Sequence, residues 1–294
     1  MSEPAPPLSA NRAGAAWMVL SMAAFTVNDA FMKVLGTEWP LAQSIFVRGV
    51  GVVIFMVCLA AALGHLRLNL PQRDWGLIML RGVCEMAAAF LFISAVFNMP
   101  LADATAIIQT LPLTVTLAGA LFLGEPVGWR RLTAIVVGFI GVLLIVRPGF
   151  DGFSIYSVYA LAAVLVITVR ELASRQLSPA CPSMLAALGS ATFVMAGGAI
   201  GSLGSEWVPL TAKAGWALGG AMVTVMIAYI ASVVTMRIGE IGFVAPYRYT
   251  AIVVALVLGV VFFREVPDVL TLTGACLIVA TGLFTLYREQ QVTA

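Results

Sequence analysis

The stretch Phe25-Thr26-Val27-Asn28-Asp29 has a counterpart further along the chain, Ile167-Thr168-Val169-Arg170-Glu171. Both stretches lie inside long apolar runs. Working outward from them, equivalent residues keep the same order in both halves of the chain: Leu35 and Leu177, Pro40 and Pro182, Thr110 and Thr250, Phe122 and Phe262, Glu125 and Glu265, and Gly141 and Gly282. An ordered series of matches indicates an internal repeat. We therefore predict two copies of one domain, residues 14–147 and 154–287.

Apolar residues dominate the whole chain. Hydrophobic residues make up 61% of it and charged residues 10%, and the mean hydropathy is +1.03, whereas soluble domains carry about 25% charged residues. A helix that crosses the hydrocarbon core of a bilayer needs about 20 mostly apolar residues. The short joints between such stretches leave no room for a separate soluble domain, and the stretches are residues 14–35, 41–62, 75–97, 103–122, 131–147, 154–174, 183–203, 215–237, 243–262 and 271–287.

The apolar stretches predict helices. A membrane β-barrel would alternate apolar and polar residues in strands of about ten residues, but Thr133–Val146 and Ile252–Phe263 are apolar on every face. The predicted fold class is an all-α integral membrane protein with ten transmembrane helices. The predicted location is the inner or plasma membrane.

The positive charges predict the orientation of the chain in the membrane. If the N-terminus is cytoplasmic, eight Lys and Arg residues flank the inner ends of the spans and four flank the outer ends. Cytoplasmic joints carry an excess of Lys and Arg, so both termini are predicted to be cytoplasmic. The sequence pI near 8.4 then reflects topology, and nucleic acid is not an expected partner.

An odd number of helices in each copy has a mechanical consequence. A five-helix unit starts on one side of the membrane and ends on the other, so the second copy is inserted upside down. Inverted repeats are typical of secondary transporters, whose substrate site lies near the bilayer midplane where the repeats meet. We therefore predict two inverted five-helix repeats around a central cavity.

A known family matches this pattern. The stretch Ala120-Leu121-Phe122-Leu123-Gly124-Glu125-Pro126, the glycine-bearing helix Gly138-Phe139-Ile140-Gly141-Val142 and the ending Arg147-Pro148-Gly149 resemble the end of an EamA domain of the drug/metabolite transporter superfamily. Two such domains would cover essentially the whole chain. The chain looks most similar to the YddG-type amino-acid exporters. The resemblance implies ten helices, a central cavity and export of small metabolites or amino acids.

The second copy departs from this pattern at its equivalent joint. Arg264 replaces the glycine before Glu265, and Val266 separates that glutamate from Pro267. The joint is therefore not expected to serve as a binding motif.

Several motifs of chemistry are missing from the sequence. It contains no G-x-x-x-x-G-K-[ST] phosphate loop, no H-E-x-x-H and no G-x-S-x-G, and it has one histidine. The four cysteines show no close pairing. We expect no ATP hydrolysis, no catalysed reaction, no cofactor and no metal site.

Ionisable residues inside the spans predict the gates of the pathway. Each costs at least about 2.5 kcal/mol at a helix centre unless it finds a partner or water. We predict an outer gate around Asp29 and Arg48, and an inner gate around Glu171 with Arg81 or Arg248. The alternatives are boundary residues that extend to the interface, or structural pairs such as Arg81 with Glu85 one turn away.

Polar and aromatic residues at equivalent positions predict the wall of the pathway. Pro112 and Pro246 would free backbone carbonyls there, which is tolerated at membrane depth where protein or water satisfies them. The predicted substrate-pathway residues come from the first, third, fourth, eighth and ninth spans: Asn28, Glu85, Phe92, Gln109, Thr110, Tyr229, Ser232, Tyr249 and Thr250.

Together these features predict an exporter or facilitator of small metabolites, with neutral or aromatic amino acids as the expected substrates. The expected partners are a small molecule and the lipid bilayer. A proton carried by Asp29, Glu85 or Glu171 is an open possibility, as is a proton-coupled exporter of drugs or other small solutes. A channel, a membrane-embedded enzyme and a scaffold also remain open.

Overall fold

The computed structural model describes residues 8–62, 64, 70–125, 127–149, 153–178, 181–238 and 241–293. Pro126 of the EamA-like stretch lies outside them. The structure is 84% helical, and no β-strand occurs in these ranges.

The helices are α1 (Leu8–Leu35), α2 (Leu41–Ala62), α3 (Gln72–Asn98), α4 (Leu101–Ile108), α5 (Leu111–Leu123), α6 (Trp129–Val146), α7 (Ile155–Arg175), α8 (Ser183–Gly201), α9 (Ala212–Ile238), α10 (Ile241–Val244), α11 (Thr250–Leu258) and α12 (Val269–Thr293). A 3₁₀ segment, Ala245–Tyr249, joins α10 to α11, and a π-helical segment, Gly259–Phe263, follows α11.

Ten helical segments in the described part of the chain are long and apolar enough to cross a bilayer. This confirms the predicted fold class. Two of the spans are not single regular helices. α4 and α5 share the span Leu101–Leu123, and the 3₁₀ segment, α11 and the π-helical segment share the span Ala245–Phe263.

The joints after the fourth and ninth spans have the same backbone shape. A residue in the left-handed conformation ends each helix, Gly124 with φ 69° and Arg264 with φ 57°. The N–H of the following glutamate then bonds a glycine carbonyl one turn and a half back, at 3.2 Å for Glu125 and 2.9 Å for Glu265. Glycine adopts this conformation freely, whereas a residue with a Cβ is strained in it. The second copy therefore has a different residue at this position, Arg264 in place of glycine, but it keeps the same turn.

The described residues fall into two compact units. Unit 1 takes its residues from 1–30, 99–154 and 223–294, and unit 2 from 31–98 and 155–222. The division falls inside α1 and inside α9, and each unit draws helices from both predicted repeats. The repeat boundaries, 14–147 and 154–287, stay a prediction.

In unit 2, α3 packs on α7 and α8, and α2 packs on α8. Lipid tails are as apolar as leucine, so helices in a membrane associate through close packing at small residues. Gly198 shows this most clearly, because a Cβ there would lie 2.6 Å from the backbone nitrogen of Phe46. A core cluster with the second half of α1 and the start of α9 completes the unit: Met32, Leu35, Trp39, Ile45, Ile93, Val194, Ala214, Ala217 and Ala221.

The segment between α8 and α9 is fastened to the start of α2. The side-chain amide of Gln43 donates to the Val208 carbonyl at 2.8 Å, and its oxygen accepts from the Val208 N–H at 3.0 Å. The Trp39 indole donates to the Pro209 carbonyl at 3.3 Å. An ion pair of 3.0 Å joins Lys213 to Glu38, and its hydrogen bond holds the pKa of Glu38 below its ordinary value. Side chains at the start of α2 and in the joint before it therefore fix the backbone of the segment between α8 and α9.

In unit 1, α6 crosses α12 at two glycines. A Cβ at Gly141 would lie 2.8 Å from the Gly274 carbonyl oxygen, and a Cβ at Gly274 would lie 2.5 Å from the Gly141 carbonyl oxygen. The two backbones meet directly, so neither position accepts a larger residue without moving a helix.

The joints of unit 1 are held by charged side chains. Arg147 forms an ion pair with Asp268, and its guanidinium also reaches the Thr271 hydroxyl at 3.4 Å. The N–H of Leu101, at the start of α4, donates to the Glu265 carboxylate at 2.9 Å. A carboxylate at a helix N-terminus satisfies a backbone donor and the positive end of the helix dipole.

Candidate functional site

An ionic cluster lies inside the apolar spans of unit 2. The guanidinium of Arg170 on α7 forms ion pairs with Glu85 on α3 and with its own neighbour Glu171. The Arg170 and Glu85 side chains are 20% and 27% exposed, and Glu171 is more open at 40%. Charges at such depth are stable only when they are paired.

Arg81 on α3 extends the ionic cluster toward α8. Its Nε donates to the Ser190 hydroxyl at 3.1 Å and its Nη1 to the Ser174 hydroxyl at 2.9 Å. Ser174 in turn donates to the Arg170 carbonyl at 2.8 Å. The ionic cluster, defined here as Arg81, Glu85, Arg170 and Glu171, holds two positive and two negative side chains. Chemically, an arginine of the cluster can bind a carboxylate of a ligand in place of a glutamate, and a glutamate can bind a cationic group of a ligand in place of an arginine.

Arg170 is the residue whose role the sequence did not reveal. The sequence predicted Arg81 or Arg248 as the partner of Glu171, and it offered Arg81 with Glu85 as an alternative pair. In the structure, the carboxylates of Glu85 and Glu171 both form ion pairs with Arg170. Two features of the sequence could have pointed to Arg170: it precedes Glu171, and it matches Asn28 in the predicted repeat.

The first copy makes the equivalent contact with different chemistry. The side-chain amide of Asn28 on α1 donates to the Asp29 carboxylate at 3.0 Å, just as Arg170 donates to Glu171. Asn28 is almost fully buried, with 2% of its surface exposed. Equivalent residues thus make equivalent contacts, one through an amide and one through a guanidinium.

Unit 1 contains two interrupted spans, which we call the paired breaks: Gln109–Thr110 between α4 and α5, and Ala245–Tyr249 between α10 and α11. The Gln109 amide crosses from one break to the other and donates to the Arg248 carbonyl at 2.6 Å. Discontinuous helices often form the substrate and ion sites of transporters because their exposed backbone groups bind polar ligands.

Proline explains why the first of the paired breaks occurs. Pro112 has no N–H to donate to the Ile108 carbonyl. The helical ladder restarts at Thr110, whose carbonyl accepts from Leu113 at 2.9 Å and from Thr114 at 3.1 Å. In the second break, Pro246 lies at the start of the 3₁₀ segment. The sequence predicted that Pro112 and Pro246 would free backbone carbonyls, but it did not predict that the helix breaks beside each proline.

The remaining predicted pathway residues are distributed over both units. The hydroxyls of Thr110 and Thr250 make matching bonds of 2.7 Å to the carbonyl three residues back. Tyr229 packs edge-to-face on Phe25, with ring centroids 5.6 Å apart. The other side chains are half-buried within their helices: Arg48, Phe92, Ser232 and Arg248. The predicted gate around Asp29 and Arg48, the inner gate around Glu171 with Arg81 or Arg248, and the pathway assignment all stay predictions.

Ten apolar spans in the described ranges, with charged and polar side chains gathered inside them, define a multi-pass membrane protein. Residues 12–147 match the EamA-like transporter family, so the first half of the chain is an EamA domain of the drug/metabolite transporter superfamily. The predicted family resemblance is confirmed at this level.

Relatives named as transporters match nearly the whole chain. It is 24% identical over 283 residues to an S-adenosylmethionine uptake transporter of Rickettsia bellii, across 95% of this chain and 94% of the relative. It is 29% identical over 275 residues to a pseudopaline exporter of Pseudomonas aeruginosa, across 91% and 94%. It is 24% identical over 283 residues to a riboflavin transporter of Vibrio cholerae, across 92% of each chain.

A solved crystal structure shows the same fold. It covers 98% of this chain and 99% of its own, with a TM-score of 0.63 and 21% sequence identity. The family match and the relatives, taken together, show a membrane transporter of small metabolites. The three named relatives carry different substrates, and one is an uptake transporter while another is an exporter. They therefore do not support the predicted preference for amino acids.

Proposed function

We propose that this protein moves a zwitterionic, amphipathic metabolite of the amino-acid type across the membrane, by exposing one central site to each side in turn. The ionic cluster of unit 2 binds the charged head of the substrate. The substrate gradient sets the direction, so the protein acts as an exporter or facilitator when the metabolite accumulates in the cell. Both termini lie in the cytoplasm, as the distribution of Lys and Arg favours.

The observation that carries this proposal is Arg170 between Glu85 and Glu171. A guanidinium binds a carboxylate through two parallel hydrogen bonds, and a carboxylate binds an ammonium group. A zwitterion offers both partners, so it replaces internal ion pairs without leaving a buried charge uncompensated. One relative carries S-adenosylmethionine, which is itself an amino-acid derivative.

Matching contacts in the two units support the inverted repeat that alternating access requires. In unit 2, α3 packs against α7. In unit 1, their repeat equivalents are α9 and α1, which are joined by the hydrogen bond of 3.0 Å from Ser21 to the Ala228 carbonyl. The joints after the fourth and ninth spans also share one backbone shape. Two copies of one fold, inserted with opposite orientation, provide the two states of a carrier.

The test is competition for flux in proteoliposomes. Labelled phenylalanine is the substrate, and the competitors are phenethylamine, which lacks the carboxylate, and N-acetylphenylalanine, which lacks the ammonium group. We expect saturable flux that unlabelled phenylalanine inhibits and that both analogues inhibit poorly. In Glu85→Gln we expect the apparent affinity for phenylalanine to fall about tenfold, the worth of one charged hydrogen bond. The N-acetyl analogue should then compete as well as the zwitterion.

The matched control is Glu206→Gln, which removes an exposed carboxylate of the same unit outside the ionic cluster and should leave flux unchanged. Equal inhibition of the native protein by phenylalanine and both analogues would contradict recognition of a zwitterion. Flux of riboflavin alone would place the substrate in the flavin class instead.

A further inference from the structure

The paired breaks of unit 1 contain an asymmetry between two equivalent residues. Gln109 and Tyr249 match in the repeat. Gln109 uses its amide to hold the opposite break through the Arg248 carbonyl, at 2.6 Å. Tyr249 is 95% buried, since 5% of its surface is exposed, and its hydroxyl makes no hydrogen bond with any described residue.

Gly282 on α12 allows Tyr249 to adopt this position. A Cβ at residue 282 would lie 1.6 Å from the Tyr249 hydroxyl oxygen and 2.4 Å from its Cζ. The hydroxyl therefore rests in the notch that the missing side chain leaves. A buried hydroxyl without a hydrogen bond is unfavourable, so the position disfavours the present conformation relative to one in which the hydroxyl is bonded.

The repeat identifies the acceptor that Tyr249 would use. The equivalent of Arg248 is Ile108, so the bond equivalent to Gln109 with Arg248 is Tyr249 with the Ile108 carbonyl. Pro112 has removed the helical donor to that carbonyl. In an inverted-repeat carrier, the opposite-facing conformation corresponds to an exchange of shape between the two repeats.

We propose that Gln109 and Tyr249 are alternating latches of the transport cycle. In the present conformation Gln109 holds the Arg248 carbonyl and Tyr249 rests against Gly282. In the opposite-facing conformation Tyr249 leaves the notch and donates to the Ile108 carbonyl, and Gln109 releases Arg248. The inference rests on the alternating access of the proposed function, but it concerns residues outside the ionic cluster and a step that needs no substrate.

The test compares Tyr249→Phe with Gln109→Met, which keeps the length of the side chain and removes the donor. Hydrogen–deuterium exchange of peptides that cover residues 101–123 and 245–263 reports the conformational equilibrium without substrate. Tyr249→Phe removes the unsatisfied hydroxyl and the latch of the other state. It should shift the equilibrium about fivefold toward the present conformation, the factor that one neutral hydrogen bond is worth. Gln109→Met should shift it the opposite way.

Tyr247→Phe is the matched control, because it removes the same atom from an exposed tyrosine of the same 3₁₀ segment, and it should behave as the native protein. In flux assays Tyr249→Phe should lower the maximal rate by a similar factor while the apparent affinity changes less. Exchange in Tyr249→Phe identical to that of the native protein, or shifts of the same sign in both latch variants, would overturn the proposal. Absent flux in the native protein would count against the proposed function alone, since the exchange comparison is complete without it.

Discussion

Asn28 with Asp29 in unit 1 and Arg170 with Glu171 in unit 2 occupy equivalent steps of the predicted repeats. In each pair the first side chain donates to the carboxylate of the second. The pair in α1 has the charge of one carboxylate, whereas the pair in α7 is neutral and shares its guanidinium with Glu85. Under the predicted repeat, the two pairs share a local geometry and differ in chemistry, one through an amide and one through a guanidinium. Four predictions test how far this holds, from the largest expected effect to the smallest.

Removing the cation should have the largest effect. Arg170→Met leaves Glu85 and Glu171 without their shared partner, and breaking a buried ion pair from one side costs about 3–5 kcal/mol. Asn28→Leu in the first copy removes a neutral donor and should cost about 1–2 kcal/mol. Unfolding in detergent, followed by helical circular dichroism, measures both. Arg170→Lys keeps the charge and should recover part of the loss, and equal costs at the two positions would contradict the difference in chemistry.

The equivalent glycines Gly141 and Gly282 should respond alike in stability and differently in transport. Alanine at 141 meets the backbone of α12, and alanine at 282 meets the Tyr249 ring, and overpacking of this kind costs about 1–3 kcal/mol. Only Gly282→Ala should also alter the exchange of the paired breaks. Gly219→Ala is the control because a Cβ there meets nothing within 4 Å. A change of exchange in Gly141→Ala as large as that in Gly282→Ala would remove the distinction.

The left-handed turns give a smaller effect, with opposite signs in the two copies. Arg264→Gly relieves the strain of φ 57° and should raise the free energy of unfolding by about 1 kcal/mol, while Gly124→Ala should lower it by a similar amount. Thermal unfolding of the two variants in one detergent checks the signs. Destabilisation by Arg264→Gly would show that the arginine side chain contributes more than its backbone costs.

The smallest effect concerns acid. The Arg147 hydrogen bond holds the pKa of Asp268 below its ordinary value. A lowered pKa in the folded state means that the stabilisation is complete above the ordinary aspartate pKa of about 4, and that it is lost as pH falls through the folded value. The pair is half exposed on the Asp268 side, so its loss should cost less than about 1 kcal/mol. Asp268→Asn should remove this component from unfolding midpoints measured between neutral pH and pH 3, and an unchanged acid limb would contradict the assignment.

The spans were predictable because their signal is local. Length and hydropathy determine where the spans run, whereas the breaks beside Pro112 and Pro246 emerged only from the structure. Which charged side chains form ion pairs could not be predicted in the same way. Whether Glu85 pairs with Arg81 on its own helix or with Arg170 on α7 depends on how α3 and α7 are rotated against each other, and that rotation comes from packing.

The candidate site shows the same limit. The sequence predicted that Gln109 and Tyr249 are equivalent. Their difference was not predictable, because it arises from a notch on α12 that lies far along the chain. Likewise, the sequence showed Arg264 in place of glycine, but only the backbone reveals that the turn is retained.

The crossing of α6 and α12 at Gly141 and Gly274 sets an order of events during synthesis. Unit 2 ends at Met222, so all of its helices have left the ribosome while α12 is still untranslated. Unit 1 must wait for residues 223–294, which take roughly 4–14 s at about 5–20 residues per second. Until α12 is made, Gly141 of α6 lacks the backbone contact with Gly274 that the folded unit provides. Unit 2 can therefore pack before unit 1, whose α6–α12 crossing forms only after α12 has been translated.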